Sequence, residues 1–166
     1  MNDTSMSSRQ LTIVAVKGES HPPVPVAQHN FPFCVKHCGI SMEQFRRDLH
    51  RAARALAETA YDFGYGCIII DFDTCTLAEA LGSAVVFPEN EVARVSHFAL
   101  ANLEDGRGLK VSDPLRDGRL PLWLETTREL RRLVGDEEAI MARTDQRPFG
   151  LSLYATSRRQ AIGLRS

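Results

Sequence analysis

The sequence predicts an α/β fold in which parallel strands are joined by helical crossovers. Three observations carry the prediction. The run "CIII" at residues 67–70 is apolar at every position, as a strand covered on both faces must be. Two stretches, residues 41–63 and 120–134, carry apolar side chains at spacings of three and four, the period of an amphipathic helix. Read in order, the segments alternate strand, helix, strand, helix, strand, helix. Such alternation implies parallel strands with right-handed crossovers.

The first segment, residues 9–16, is apolar enough for a short helix packed on another element, with Gly18 to end it. "ESHPPVP" is an extended connector, because each proline drives its predecessor from the α region. Residues 24–31, "VPVAQHNF", read as a short strand, with Pro25 at its start. "SMEQFRRDLHRAARALAETAYDF" reads as one long helix. Ser41 and Gln44 form an S-x-x-Q capping box, and Gly64 and Gly66 are stop signals. Arg46, Arg47, Arg51, Arg54 and Glu58 fall on its polar side and read as a solvated face. The second strand covers residues 67–73. "TLAEALG" reads as a short helix and "AVVF" as a short extended piece. Residues 88–119 are polar and punctuated by Gly and Pro, so they read as a long excursion with a helical turn or two around "EVARVSHFAL". A strong helix follows at residues 120–134, with Pro121 in its first turn and Gly135 just past its end. "EEAIMARTD" is the third strand, and "GLSLYATSRRQAIG" begins a third helix.

At 166 residues, 43% hydrophobic and 25% charged, the chain has the make-up of a single globular domain spanning residues 1–166. It contains no internal repeat and no linker. A net charge of -1 gives no ground for a nucleic-acid partner. No stretch approaches the ~20 apolar residues of a membrane span, and the amino terminus lacks the charged and apolar regions of a secretory signal. The expected compartment is the cytoplasm, where Cys34, Cys38, Cys67 and Cys75 are reduced thiols. Cys34, His37 and Cys38 lack a second Cys/His pair at ligand spacing. They read as small residues in a loop, and no metal ligand is assigned.

The second strand ends in Asp71 and Asp73. Side chains alternate along a strand, so Cys67, Ile69, Asp71 and Asp73 share one face, and Ile68, Ile70 and Phe72 the other. The larger apolar set should meet the helices. The aspartates should then point toward the interior or mouth of a rolled sheet, at the carboxyl ends of the strands, where parallel folds carry their functional groups. A buried carboxylate needs a partner. On the third strand Met141, Arg143 and Asp145 share a face, and Arg143 is in position to reach Asp71 and hold it ionised. Asp71 therefore reads first as half of a buried ion pair, and Asp73, one step nearer the mouth, as functional. His29 and Asn30 lie at the corresponding end of the first strand.

The stretch "GCIIIDFDTCTLAEALGSAVVFPEN" resembles the second-strand region of the uroporphyrinogen decarboxylase superfamily. Its pattern there is an apolar strand, an aspartate, an alanine-rich helix with "EALG", then a short apolar strand and acidic turn. "LTIVAVKGESHPPVPV" resembles the superfamily's amino-terminal helix and first strand, and "GISMEQFRRDLHRAARALAETAYDFGYGCIII" its first crossover helix. "IMARTDQRPFGLSLYA" resembles the third strand and its G-P-F turn, with Arg147 in place of the usual glycine.

The resemblance implies the first three strands of a (β/α)8 barrel of roughly twice this length, ending inside the third helix: a partial TIM barrel, the amino-terminal portion of the family domain. It implies a carboxy-lyase of porphyrin biosynthesis or a corrinoid-dependent methyltransferase, and a tetrapyrrole or corrinoid-protein substrate in the barrel mouth. Asp73 matches the catalytic aspartate, which in the decarboxylase binds pyrrole N–H groups and stabilises positive charge on the protonated ring. His29, Asn30, Asp71, Arg143 and Asp145 are expected to line the substrate site. The decarboxylase has an arginine-rich segment after its first strand. Here that segment reads "AQHNFPFCVKHCG", with Lys36 as its cation, and lysine does not replace bidentate arginine well. The departure favours the methyltransferase-like side. The zinc ligands of that branch lie in the carboxyl-terminal half, so no cofactor is expected in this chain, and His37-Cys38 is not that motif. Three strands alone leave sheet edges unpaired. The isolated chain is therefore expected to be inactive, and either to self-associate or to pair with a separately encoded half-barrel. A third reading is a small three-layer α/β domain with a function of its own.

Overall fold

A computed structural model describes residues 6–19, 24–143 and 148–156. In chain order the elements are α1 (Ser8–Val16), β1 (Ala27–Gln28), α2 (Phe31–His37), α3 (Met42–Arg47), α4 (Leu49–Phe63), β2 (Cys67–Ile70), α5 (Thr76–Ala80), β3 (Ala84–Val86), β4 (Arg94–His97), α6 (Leu120–Val134), β5 (Ala139–Ala142) and α7 (Pro148–Ala155). A short 3-10 turn at Leu103–Gly108 interrupts the stretch between β4 and α6. The chain divides into two compact units, Met1–Asp71 with Glu125–Arg143, and Phe72–Leu124 with Thr144–Ser166.

The first unit is built on a parallel sheet of order β1-β2-β5. Cys67 pairs with Ala27 on one side and Ala139 on the other, and Ile70 pairs with Ala142. Parallel pairing and the three predicted strands are both present, with shorter spans than the sequence predicted. The first strand is only Ala27–Gln28, because Asn30 turns the chain into α2. Its side-chain oxygen accepts from the Phe33 N–H at 3.2 Å, with Pro32 in the first turn. The loop expected around Cys34, His37 and Cys38 is therefore a helix.

The long helix expected at residues 41–63 is two. The Ser41/Gln44 capping box starts α3 as predicted. Asp48 then takes extended backbone, and its carboxylate accepts from the N–H groups of His50 and Arg51 to start α4. Aspartate competes with helical backbone for hydrogen bonds in this way. Gly64 closes α4 at φ 64, the left-handed cap. The apolar stripe packs Phe45, Ala52, Leu56 and Ala60 into the core with Ile68, Ile70 and Leu130, each 4% exposed or less. α1 is capped by Ser7 and Gln10 and lies against β2 and β5. The Thr12 hydroxyl donates to the Gly66 carbonyl at 2.7 Å. A Cβ on Gly66 would sit 2.7 Å from Pro25 Cβ, so glycine is required where the chain enters β2.

In the second unit β3 and β4 form an antiparallel pair with a register shift between Ala84 and Val85. The helical turns expected around "EVARVSHFAL" are thus a strand. Ser83 ties the pair down: its hydroxyl donates to the Tyr154 carbonyl and accepts from the Ala99 N–H, both at 3.1 Å. α5 packs on α7, and Phe72 meets Trp123 with ring centroids 6.2 Å apart.

Candidate functional site

Three side chains converge at the carboxyl end of the parallel sheet. His29, Asp71 and Arg143 are each the first residue beyond their strands, β1, β2 and β5. Because Ile70 is in register with Ala142, the next residues, Asp71 and Arg143, stand side by side. Arg143 Nη1 donates to Asp71 Oδ2 at 2.5 Å. His29 Nε2 lies 3.0 Å from the same oxygen and 3.3 Å from Arg143 Nη1. The three differ in exposure: the Asp71 side chain is 3% accessible, Arg143 31% and His29 47%. Water therefore reaches the histidine and arginine while the carboxylate sits beneath them. The second carboxylate oxygen, Oδ1, is buried, and among the described residues nothing donates to it. An unmet buried acceptor costs about 1–3 kcal/mol, more when charged, so a donor placed on this oxygen would be stabilising.

Asp73 lies in the second unit and has many partners. Its Oδ1 accepts from the Cys75 N–H at 2.8 Å and the Thr76 hydroxyl at 3.3 Å, which anchors the start of α5. Arg119 grips it with both guanidinium ends, Nη1 to Oδ2 at 2.7 Å and Nη2 to Oδ1 at 3.2 Å. Arg119 Nε donates to Glu79 Oε2 at 2.6 Å, and its Cζ lies 4.5 Å over the Phe87 ring. Burial alone would lower the guanidinium pKa. The hydrogen bonds and charge of Asp73, with Glu79 behind, outweigh it and raise the pKa above its ordinary value. Gly118 permits the approach: its φ is 54, and a Cβ there would meet the Ala80 backbone nitrogen at 3.0 Å.

His29, Asp71 and Arg143 come together, and the predicted Arg143–Asp71 pair is present. Asn30 spends its side-chain oxygen on the cap of α2. Asp145 lies outside the described residues, as does Arg147. Arg119 was not anticipated. It comes from the irregular stretch before α6, where neither period nor register marks a partner.

The cysteines are free thiols. Burial pushes the Cys34 thiol up to about 11. Burial, with the Asp73 charge next, raises Cys75. His37 pairs with Asp62 at 2.8 Å and stacks against Phe33. No group of three or more His, Cys, Asp or Glu among the described residues could hold a metal ion.

The family model for uroporphyrinogen decarboxylase matches residues 7–161. Among solved structures, the chain is similar to a methyltransferase from Methanosarcina mazei, with a TM-score of 0.81 and 20% identity. That match covers 96% of this chain and 48% of the other, so the chain spans about half the length of the methyltransferase. At that identity the likeness speaks to the fold. No curated protein matches.

Proposed function

The chain belongs to the uroporphyrinogen decarboxylase family, and from that premise we propose that it supplies the amino-terminal strands of a barrel that binds a tetrapyrrole or corrinoid-linked substrate. The observation that carries the proposal is the buried, unmet Oδ1 of Asp71 beneath a partly exposed His29 and Arg143. A pyrrole N–H, or a comparable donor on the ligand, satisfies that oxygen. Arg143 offers its remaining N–H groups to a ligand carboxylate. The methyltransferase-like side of the family is the favoured branch, because α2 carries Lys36 and no arginine where the decarboxylase needs bidentate carboxylate clamps. Asp73 keeps the family's catalytic role in this reading, as the carboxylate that stabilises developing positive charge. Arg119 holds it in one orientation.

Binding of a water-soluble porphyrin tetracarboxylate, followed by fluorescence, tests the reading. The full chain is expected to bind it. Asp71→Asn is expected to bind about ten- to hundredfold more weakly, the loss of a charge-assisted hydrogen bond of about 1.5–3 kcal/mol. Equal affinity in both proteins, or none in the natural one, would contradict the proposal.

A second reading is that this chain pairs with a separately encoded carboxyl-terminal half. It is favoured by β5, which among the described residues pairs with β2 alone and leaves Met141 43% exposed. Co-expression with a carboxyl-terminal half from the family tests it by co-purification. Failure of the two to associate would set it aside.

A further inference from the structure

The three polar atoms at the sheet end cannot all be satisfied at once. Asp71 Oδ2 only accepts, Arg143 Nη1 only donates, and His29 Nε2 does one or the other. All three edges of the triangle are short: 2.5 Å, 3.0 Å and 3.3 Å. When Nε2 is bare it accepts from Arg143, and its edge with Asp71 sets acceptor against acceptor. When Nε2 carries a proton it donates to Asp71, and its edge with Arg143 sets donor against donor. Among the described residues, the charged groups within hydrogen-bond reach of the ring are Asp71 at the end of β2 and Arg143 at the end of β5.

We propose that His29 is the specificity-determining residue of this cluster: its own proton sets how strongly the site takes an anionic group of the ligand. With a bare Nε2, Arg143 Nη1 donates to both neighbours and the cluster carries one cation against one carboxylate. With His29 protonated, the ring takes Oδ2, Arg143 turns a donor outward, and two cations face one carboxylate. The site is then one negative charge short, and an incoming carboxylate completes it. Anion binding and proton uptake are therefore linked, each favouring the other by the same factor. The inference rests on the ligand-binding reading of the same cluster and adds its proton dependence.

Nitrogen-15 NMR of the histidine rings tests this on the full chain without a tetrapyrrole. The neutral His29 ring is expected to carry its proton on Nδ1, with Nε2 as an accepting nitrogen. Arg143→Gln is expected to shift the proton to Nε2, toward Asp71. The same tautomer in both proteins would overturn the proposal. Formate, as a bare carboxylate probe, is expected to shift the Arg143 guanidinium resonances at pH 5.5 far more readily than at pH 8. A single linked proton changes the affinity by at most about tenfold per pH unit. His29→Gln is expected to abolish that pH dependence. Equal formate affinity at both pH values in the natural protein would also overturn it. A porphyrin that fails to bind while the formate response persists would instead count against the tetrapyrrole reading alone.

Discussion

Arg119 gathers two carboxylates and an aromatic face onto one guanidinium that is 14% accessible. Removing one member of such a group leaves the other charges buried without compensation, a loss of about 3–5 kcal/mol. Arg119→Ala is expected to lower the free energy of unfolding by that amount in denaturant titration, and Arg119→Lys to recover only part of it. A loss below 1 kcal/mol would mean that Asp73 is held by its backbone contacts instead. Asp71 contrasts with this. Among the described residues, its partners leave one buried oxygen, Oδ1, unmet. The Arg143–Asp71 pair was legible in the sequence because both residues lie at strand ends whose alternation fixes their side. Arg119 was not, because an irregular stretch has no period to read. The capping role of Asn30 had a signal, an asparagine two residues before Pro32, which its strand-end position obscured.

Where elements begin and end, single residues decided what pattern alone did not. The apolar stripe of residues 41–63 runs on through Asp48, so periodicity shows one helix, while the backbone there is extended and starts a second. Asp48→Ala is expected to cost about 1 kcal/mol, the usual loss of a cap, read as a shift in the denaturation midpoint. An unchanged midpoint would mean that α3 and α4 merge at no cost. Gly66→Ala is expected to be more damaging than an ordinary glycine substitution, because the added methyl meets Pro25 at 2.7 Å. A thermal midpoint equal to that of the natural protein would show that the connector yields. The strand β4 escaped the sequence reading because Val92, Val95 and Phe98 recur at a spacing of three, as a helix would have them. Pairing with β3 across the connection at residues 87–93 overrode that period, an instance of tertiary context outweighing local pattern.

For the molecule as a whole, the alternation of strands and helices was enough to foresee the parallel pairing of β1 with β2 and β2 with β5, since consecutive parallel strands need crossovers. In the second unit the helix at "TLAEALG" and the extended "AVVF" are legible as α5 and β3, while β4, the other half of the antiparallel pair, falls in the stretch at residues 88–119 that reads as an excursion. No described helix is long and apolar enough to cross a membrane. The family match over residues 7–161 and the fold likeness to about half of a methyltransferase agree with the parallel sheet, and His29, Asp71 and Arg143 take their strand-end position from that sheet. The functional account depends on that position. A crystal structure of the chain soaked with a porphyrin tetracarboxylate tests it most directly. The account predicts a ligand N–H within hydrogen-bond distance of Asp71 Oδ1 and a ligand carboxylate on Arg143. A ligand bound away from the sheet end, or an Oδ1 already occupied by a donor from the protein, would contradict it.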